Sequence, residues 1–189
     1  MKRAIIACLA AALLSTSLAA TDPALRTAVK VEGFKDLFRT GDFFISGQPT
    51  LEELRWLKAA GVTLVVNMRT EAENKEFTAT AFNEENAVKE LGLAYAWLPV
   101  GTKESYSPQT VDGFAALLSG NTGKVLLHCA SAGRATHLWI AFLARHCGFE
   151  VNDAALVGRQ MKFTLPFEDF LGVRIRLELE ETEKSAGDK

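Results

Sequence analysis

The chain has 189 residues, of which 48% are hydrophobic and 23% are charged, and it contains only five prolines. This composition suits one compact domain and excludes a disordered chain, a collagen and a small disulfide-rich scaffold. With 21 basic and 23 acidic side chains the net charge is −2, and the sequence has no basic stripe that could neutralise the phosphates of a nucleic acid.

The first 20 residues have the pattern of a cleaved secretory signal. Lys2 and Arg3 precede an apolar run of 11 residues, Ala4 to Leu14, and small residues follow as far as Ala20. An apolar helix this short cannot cross the roughly 30 Å hydrocarbon core of a membrane. The alternative is a buried N-terminal helix. We expect residues 1–20 to be removed, the mature protein to be exported to a bacterial periplasm, and no stable membrane insertion to follow cleavage.

Short apolar runs then alternate with segments of helical spacing. The runs are rich in β-branched and aromatic residues and predict strands at Phe43–Ile45, Val62–Met68, Leu93–Val100 and Lys124–Cys129. The intervening segments predict helices from Thr50 to before Gly61, over Glu71–Leu91, from Ser107-Pro108, over Arg134–His146 and over Asn152–Lys162. This order predicts an α/β fold with a mainly parallel central sheet of about four to five strands flanked by helices.

The chain has no linker and no internal repeat, so residues 21–180 are expected to form one domain and residues 181–189 a disordered tail. Residues 34–39 and 43–46 are expected to add a hairpin at one edge of the sheet. Residues 173–180 alternate apolar and charged side chains, as in a strand, but their charge spacing also fits a helix, so the conformation of residues 166–180 stays open.

Two cysteines follow the signal segment, Cys129 and Cys147. The helix expected between them would separate them by roughly 18 Å, whereas a disulfide needs Cα atoms within about 7 Å. We therefore expect Cys147 to be a buried, inert thiol and Cys129 to be free.

The strongest local pattern surrounds Cys129. An apolar strand ends at this cysteine, the small residues Ala130 to Gly133 follow, and Arg134 begins a helix. The N–H groups of such a loop point at one spot and bind anions, and together with the arginine they favour a thiolate. A thiolate, an amide cradle and a guanidinium fork suit attack on a phosphoryl group. The alternative is a core cysteine beside a solvated arginine.

Residues 124–143 resemble the signature loop of the cysteine-dependent tyrosine and dual-specificity phosphatases, in which His-Cys is followed by Arg. Over residues 34–160 the chain looks like the bacterial beta-lactamase-hydrolase-like (DUF442) group of that superfamily. The matching segments are Ile45–Thr50, Val65–Arg69 and Cys129–Arg134, followed by Leu138-Trp139. The resemblance implies no cofactor and no metal.

The resemblance also implies roles for individual residues. Cys129 would be the nucleophile that forms a phosphocysteine, and His128 would support the loop and its thiolate. The phosphate would be held by Arg134 and by the backbone amides of Ala130, Ser131, Ala132 and Gly133.

The chain departs from the superfamily pattern at three points. Four residues separate Cys129 from Arg134 instead of five, a spacing that the narrower group shares. Ala135 stands where a hydroxyl residue normally follows the arginine, so Thr136 or Ser131 would have to replace that hydroxyl.

The third departure concerns the general acid. The segment after the third predicted strand, residues 98–107, contains no aspartate, which leaves Glu104 as the nearest candidate and Asp112 as the next. Arg69 and Gln48 lie near strand ends, where they either line the pocket or make structural bonds under the loop.

Two other functions share these features. Rhodanese-like sulfurtransferases also use a four-residue loop, in their case to cradle a cysteine persulfide, and a catalytically silent module could bind a phosphate or another anion without an acid. The expected partner is a phosphorylated substrate, with phosphotyrosine, phosphoserine, a sugar phosphate and a nucleotide all open.

Overall fold

The computed structural model describes residues 22–163 and 168–174. Its strands are β1 (Val29–Lys30), β2 (Leu37–Thr40), β3 (Phe43–Ser46), β4 (Val62–Asn67), β5 (Ala94–Trp97) and β6 (Lys124–His128). They form a six-stranded sheet in the order β1-β2-β3-β6-β4-β5. The four strands from β3 to β5 in this order are parallel, and β1, β2 and β3 pair antiparallel. The expected α/β fold with a mainly parallel sheet is confirmed.

The helices are α1 (Leu51–Ala59), α2 (Glu71–Thr80), α3 (Glu84–Glu90), α4 (Pro108–Leu118), α5 (Gly133–His146) and α6 (Val151–Gly158). Short 3-10 turns occupy Pro23–Leu25, Lys103–Ser105 and Glu168–Leu171. The first helix begins and ends as its sequence predicts, because Thr50 and Glu53 form a capping box and Gly61 adopts a φ of 94° after the last turn.

Helices cover both faces of the sheet, and the alternation along each strand decides which face a side chain enters. In β6, Leu126 packs with side chains of α1 and α3, whereas Leu127 packs with side chains of α4, α5 and α6. Both leucines are fully buried. The central strands are therefore apolar without alternation, and their polar residues come at the carboxyl ends, where the site lies.

The single helix expected over residues 71–91 is wrong. The structure has two helices there, α2 and α3, with a break at residues 81–83. Asn83 causes the second start, because its side chain accepts a hydrogen bond from the N–H of Asn86 at 2.9 Å, as an N-cap does. The break turns α3 so that Glu84 is buried rather than exposed on a polar helix face.

The hairpin of β2 and β3 is present but does not form the edge of the sheet. Strand β3 pairs with β6 in the interior, and the two-residue β1, which the sequence did not predict, is the outer strand on that side. The strand expected over residues 93–100 ends at Trp97, and the helix expected over residues 152–162 ends at Gly158. The expected signal segment, residues 175–180 and the expected tail lie outside the described residues.

Candidate active site

Cys129 lies directly after β6, at the carboxyl edge of the parallel strands. Residues 130–132 connect it to α5, which begins at Gly133. The Cys129 side chain is 1% exposed, whereas Ala130 and Ser131 are exposed at the mouth of the loop. The strand, loop, arginine and helix thus stand in the expected order, with the sulfur at the base of the loop.

The neighbouring strand β3 fixes the position of this loop. The N–H of Cys129 donates to the carbonyl of Ser46 at 3.3 Å, and the N–H of Gln48 donates to the carbonyl of Ala130 at 3.1 Å. At Gly47 a Cβ atom would lie 3.1 Å from the carbonyl oxygen of Ala130, which is closer than ordinary contact. The glycine between Ser46 and Gln48 therefore lets the two backbones approach.

Ala132 gives the loop its turn into α5. It has a φ of 68°, in the left-handed region, and is fully buried at the N-cap of α5. The N–H groups of the first turn of a helix have no intrahelical acceptors, and a left-handed residue before them directs them toward one point. The loop therefore has the backbone geometry of an anion cradle above Cys129.

Arg134, the second residue of α5, has its guanidinium group held by Glu73 and Val100. Nη1 and Nη2 donate to the two carboxylate oxygens of Glu73 at 3.0 and 2.5 Å, and Nη1 also donates to the carbonyl of Val100. Among the described residues, no acceptor contacts Nε or the second hydrogen of Nη2. One edge of the guanidinium is therefore anchored, and the other edge presents two parallel N–H groups of the kind that grip an oxyanion.

Glu73 belongs to α2 and was not a candidate from the sequence. Its carboxylate also accepts hydrogen bonds from the N–H of Thr70 at 2.8 Å and from the Thr70 hydroxyl at 3.0 Å, so the same group caps α2. Burial opposes its ionisation, but the bonds from Arg134 and Thr70 outweigh that effect and lower the pKa of Glu73 to about 2. The pKa of Arg134 is raised, because its bond to Glu73 and the nearby Cys129 outweigh burial. The pair is fully charged at neutral pH.

The carboxylate of Glu84 is buried and contacts residues on both sides of the loop. His128 Nε2 lies 2.7 Å from Glu84 Oε1, and Gln48 Nε2 donates to Glu84 Oε2 at 2.8 Å. Asn67 Nδ2 completes the set at 3.3 Å. His128 and Asn67 are fully buried, and Glu84 is 5% exposed. Glu84 was also missed from the sequence, where it follows the unrecognised cap Asn83.

Arg69 and Gln48 make structural bonds beside the loop. Arg69 donates to the side chain of Gln48 and, through Nη2, to the carbonyl of Glu73 at 2.7 Å. The Arg69 carbonyl accepts a hydrogen bond from Trp97 Nε1 at 2.7 Å. These two residues link the loop, α2 and the end of β4.

The two candidates for the missing hydroxyl differ in burial. Thr136 is fully buried one turn into α5, and its Oγ1 has no hydrogen-bond partner among the described residues. Ser131 is exposed. Thr136 is therefore the candidate whose hydroxyl is still available inside the protein.

Asp112 is not a candidate acid in the structure. Its carboxylate accepts hydrogen bonds from Arg145 at 2.6 and 2.8 Å and contacts His146 Nε2 at 2.8 Å, at the C-terminal end of α5. Fourteen residues of helix separate that end from the loop, which corresponds to roughly 20 Å. The bonds from Arg145 and His146 lower the pKa of Asp112 to about 2. Its role is to hold α4 against α5.

The loop between β5 and α4 contains Glu104, which is exposed on the turn Lys103–Ser105. Two residues later Tyr106 is half-buried and packs against Phe170, with ring centroids 5.0 Å apart. Burial raises the pKa of Tyr106, with the charges of Cys129 and Glu73 adding and that of Arg134 opposing. Tyr106 is therefore close enough to the cysteine and the arginine for their charges to act on its hydroxyl.

Cys147 is a free, buried thiol, and Cys129 is also free. Burial raises the pKa of Cys147 to about 12, so its thiolate is scarce at neutral pH. The prediction that the two cysteines do not form a disulfide is confirmed.

Within residues 22–163 and 168–174, no group of three or more His, Cys, Asp or Glu side chains is placed to hold a metal ion. No helix in that part of the chain is both long and apolar enough to span a bilayer.

A family model described as a DSP-PTPase phosphatase fused to NAD+ kinase matches residues 27–153. Two curated proteins from strains of Xylella fastidiosa, both named beta-lactamase hydrolase-like protein, are 32% identical over 96 residues. The match covers 50% of this chain but 22% of each relative. The matched segment thus spans about a fifth of the length of these proteins.

Solved structures show the same fold. A DUF442 protein from Shewanella putrefaciens is 23% identical, with a TM-score of 0.57 over 75% of this chain and 91% of that one. P. aeruginosa TpbA in complex with phosphotyrosine is 17% identical, with a TM-score of 0.52 over 74% of this chain and 79% of that one. A kinase-associated phosphatase with serine for its catalytic cysteine is 14% identical, with a TM-score of 0.52 over 64% and 75%.

Proposed function

Because this chain belongs to the family of dual-specificity and tyrosine phosphatase domains described as fused to NAD+ kinase, we propose that it hydrolyses a phosphomonoester through a phosphocysteine on Cys129. The general reaction, hydrolysis of a phosphoric monoester, is that of the family. The proposal of a phosphocysteine on Cys129 rests on the arrangement of the Arg134 guanidinium, whose two edges differ in their contacts. One edge is held by Glu73, the other edge has no acceptor among the described residues, and the charge of Cys129 acts on the group.

In the first step the Cys129 thiolate attacks phosphorus, an S–P bond forms, and the P–O bond to the leaving group breaks. The open edge of Arg134 and the loop N–H groups hold the non-bridging oxygens, where charge must be stabilised. In the second step water attacks the phosphocysteine and gives up a proton, the S–P bond breaks, and inorganic phosphate and the thiolate are released. The residue that protonated the leaving oxygen in the first step regains its proton from this water, so a phosphomonoester and water are converted to an alcohol and inorganic phosphate.

The leaving oxygen needs a proton, and we propose that the loop of residues 101–107 supplies it. Glu104 is the candidate from the sequence, and Tyr106 is a second candidate because the charges of Cys129 and Arg134 act on its hydroxyl. A donor matters most for poor leaving groups. Loss of the donor should therefore slow alkyl phosphates far more than 4-nitrophenyl phosphate. Comparing Glu104→Gln with Tyr106→Phe on both substrates identifies which residue donates.

The test of the main proposal is trapping. Acid quench of the protein during turnover of 4-nitrophenyl phosphate should yield a peptide carrying phosphate on Cys129, detected by mass spectrometry. Cys129→Ser should abolish turnover while retaining vanadate binding. Cys147→Ser is the matched control and should keep turnover, at a stability cost of about 1 kcal/mol.

Failure has two informative forms. Persulfide transfer from thiosulfate to cyanide, with no phosphate release, would assign the loop to a sulfurtransferase. Vanadate binding without either activity would leave an anion-binding module.

We further propose that the protein is exported. The basic start, the apolar run of 11 residues and the small residues up to Ala20 support a cleaved signal. N-terminal sequencing of protein from a periplasmic fraction should give a first residue near Ala20 or Thr21. An intact Met1 on that protein would contradict export by cleavage.

A further inference from the structure

The carboxylate of Glu84 lies in an unusual position for a residue of the first turn of a helix. It is buried, and its three polar neighbours, His128, Gln48 and Asn67, come from three other parts of the fold. A buried carboxylate is costly unless it is paired and hydrogen-bonded. Here one oxygen contacts His128 at 2.7 Å, and the other accepts hydrogen bonds from Gln48 and Asn67. Oε2 therefore has two hydrogen-bond donors, whereas Oε1 lies within ion-pair distance of His128 Nε2 without the alignment of a hydrogen bond.

His128 stands between this carboxylate and the nucleophile. Its Nε2 faces Glu84, and its Nδ1 lies 3.4 Å from the carbonyl oxygen of Cys129. Both neighbours are acceptors, so both ring nitrogens need a hydrogen to satisfy them, which is the imidazolium form. The imidazole of His128 therefore has a carboxylate oxygen beside one ring nitrogen and a backbone carbonyl beside the other.

The other ionisable groups around the pair fit this assignment. Arg69 bonds to Gln48 on one side of Glu84, and Tyr95 bonds to Asn67 on the other at 2.9 Å. Burial and the charge of Glu84 raise the pKa of Tyr95 to about 12, so its hydroxyl is neutral. Glu85 lies further out and influences Tyr95 more weakly. Burial opposes the ionisation of Glu84, but His128, then Gln48 and Arg69, lower its pKa overall.

We infer that Glu84 is a positioning residue of the active site: its carboxylate keeps His128 doubly protonated, and the resulting imidazolium stabilises the thiolate of the adjacent Cys129. The inference rests on the proposed role of Cys129 as nucleophile. It assigns no contact between Glu84 and substrate. Glu84 acts only through His128. This role differs from a general contribution to the stability of the fold.

The chain supplies a matched control in the next residue. Glu85 is exposed on the same turn of α3 and pairs with Lys89 at 2.5 Å. Substitution of either glutamate by glutamine removes one charge from the same turn, but only Glu84 contacts His128.

The experiment measures alkylation of Cys129 by iodoacetamide as a function of pH, by quantifying the modified Cys129 peptide. Glu84→Gln should move the midpoint of the reaction upward by about one pH unit or more, and Glu85→Gln should leave it unchanged. His128→Asn should raise the midpoint similarly. Glu84→Gln added to His128→Asn should give no further shift.

An unchanged midpoint in folded Glu84→Gln protein would overturn the inference. A lower midpoint in Glu84→Gln would also overturn it. That result would mean that His128 stays protonated without Glu84 and that the carboxylate acts on Cys129 only as a nearby negative charge. A further upward shift in the double variant would point to a structural role. If Glu84→Gln does not fold, as judged by circular dichroism, His128→Asn decides alone, and an unchanged midpoint in that variant refutes the inference.

Alkylation requires no turnover. If phosphatase activity is absent while the midpoints shift as described, the proposed function fails and the positioning role survives.

Discussion

At the scale of single residues, the site depends on side chains that hold other side chains. Glu73 shows this most directly, because one carboxylate caps α2 through Thr70 and anchors Arg134 from 61 residues away. The arginine is half-buried and long, and without a partner its guanidinium would lose its fixed orientation. Catalysis is sensitive to displacements of about 1 Å in such groups.

Glu73→Gln separates the two tasks. Glutamine also serves at the third position of a capping box, so α2 should keep its start, while the charge on Arg134 loses its partner. We expect kcat/KM to fall by about tenfold to a hundredfold, with the thermal midpoint changed little. Glu71→Gln is the control, since Glu71 is exposed on the same helix and pairs with Lys75. Equal losses in the two variants would mean that the helix, not the arginine contact, matters.

Ala132 is the second residue on which the loop geometry depends. Its φ of 68° costs an L-residue roughly 1–2 kcal/mol, and glycine would avoid this cost while losing more entropy on folding. Ala132→Gly should therefore stay within about 1 kcal/mol of the parent stability, whereas the bulkier, β-branched Ala132→Val should lose about 2 kcal/mol or more. Urea unfolding measures both, and a valine variant as stable as the parent would contradict the backbone assignment.

At the scale of elements, the sequence predicts the structural features that are set by residues close to one another along the chain. Residues 124–134 contain a strand, a loop of small residues and a helix start in consecutive positions. The structure and the chemistry of this segment could therefore be inferred together. Glu73 and Glu84 could not be singled out, because they lie on helices rich in acidic side chains and their partners are distant in sequence. The capping pattern of Thr70 and Glu73 was the available clue to the first, and Asn83 to the second.

The break between α2 and α3 is the element-scale feature that buries Glu84, and Asn83 sets it. Asn83→Ala removes the bond to the N–H of Asn86 and should cost about 1 kcal/mol of unfolding free energy. Asn83→Ser keeps a capping oxygen and should lose less. The comparison is made by urea unfolding, with turnover measured alongside. If alanine and serine behave alike, the cap does not determine where α3 begins.

At the scale of the whole molecule, α5 connects the site to the opposite end of the fold. Its first turn is held through Arg134 by Glu73, and its last turn is held through Arg145 and His146 by Asp112. Ion pairs therefore tie the two ends to α2 and α4. The apolar face of α5 is buried along nearly its whole length, with Trp139 and Leu138 fully buried. Packing supplies the stability of this helix, and the two carboxylates make that stability depend on pH.

The sign of this dependence follows from the two carboxylates. Both have a pKa of about 2 in the folded protein, against ordinary values of 4.5 for Glu73 and 3.8 for Asp112. A carboxylate whose pKa is lower in the folded than in the unfolded protein stabilises the fold at pH values above the unfolded pKa. That contribution is lost as the pH falls through this range toward 2.

We expect the free energy of unfolding, measured in urea, to decrease between about pH 5 and pH 2. The decrease should be smaller in Glu73→Gln and in Asp112→Asn. The Asp112 contribution should also shrink in high salt, because that pair is solvent-exposed. Glu90→Gln is the control, since Glu90 is exposed and has no ion pair in the described part of the chain. A pH profile in either test variant that coincides with the parent would show that the carboxylate at that end of α5 does not stabilise the fold.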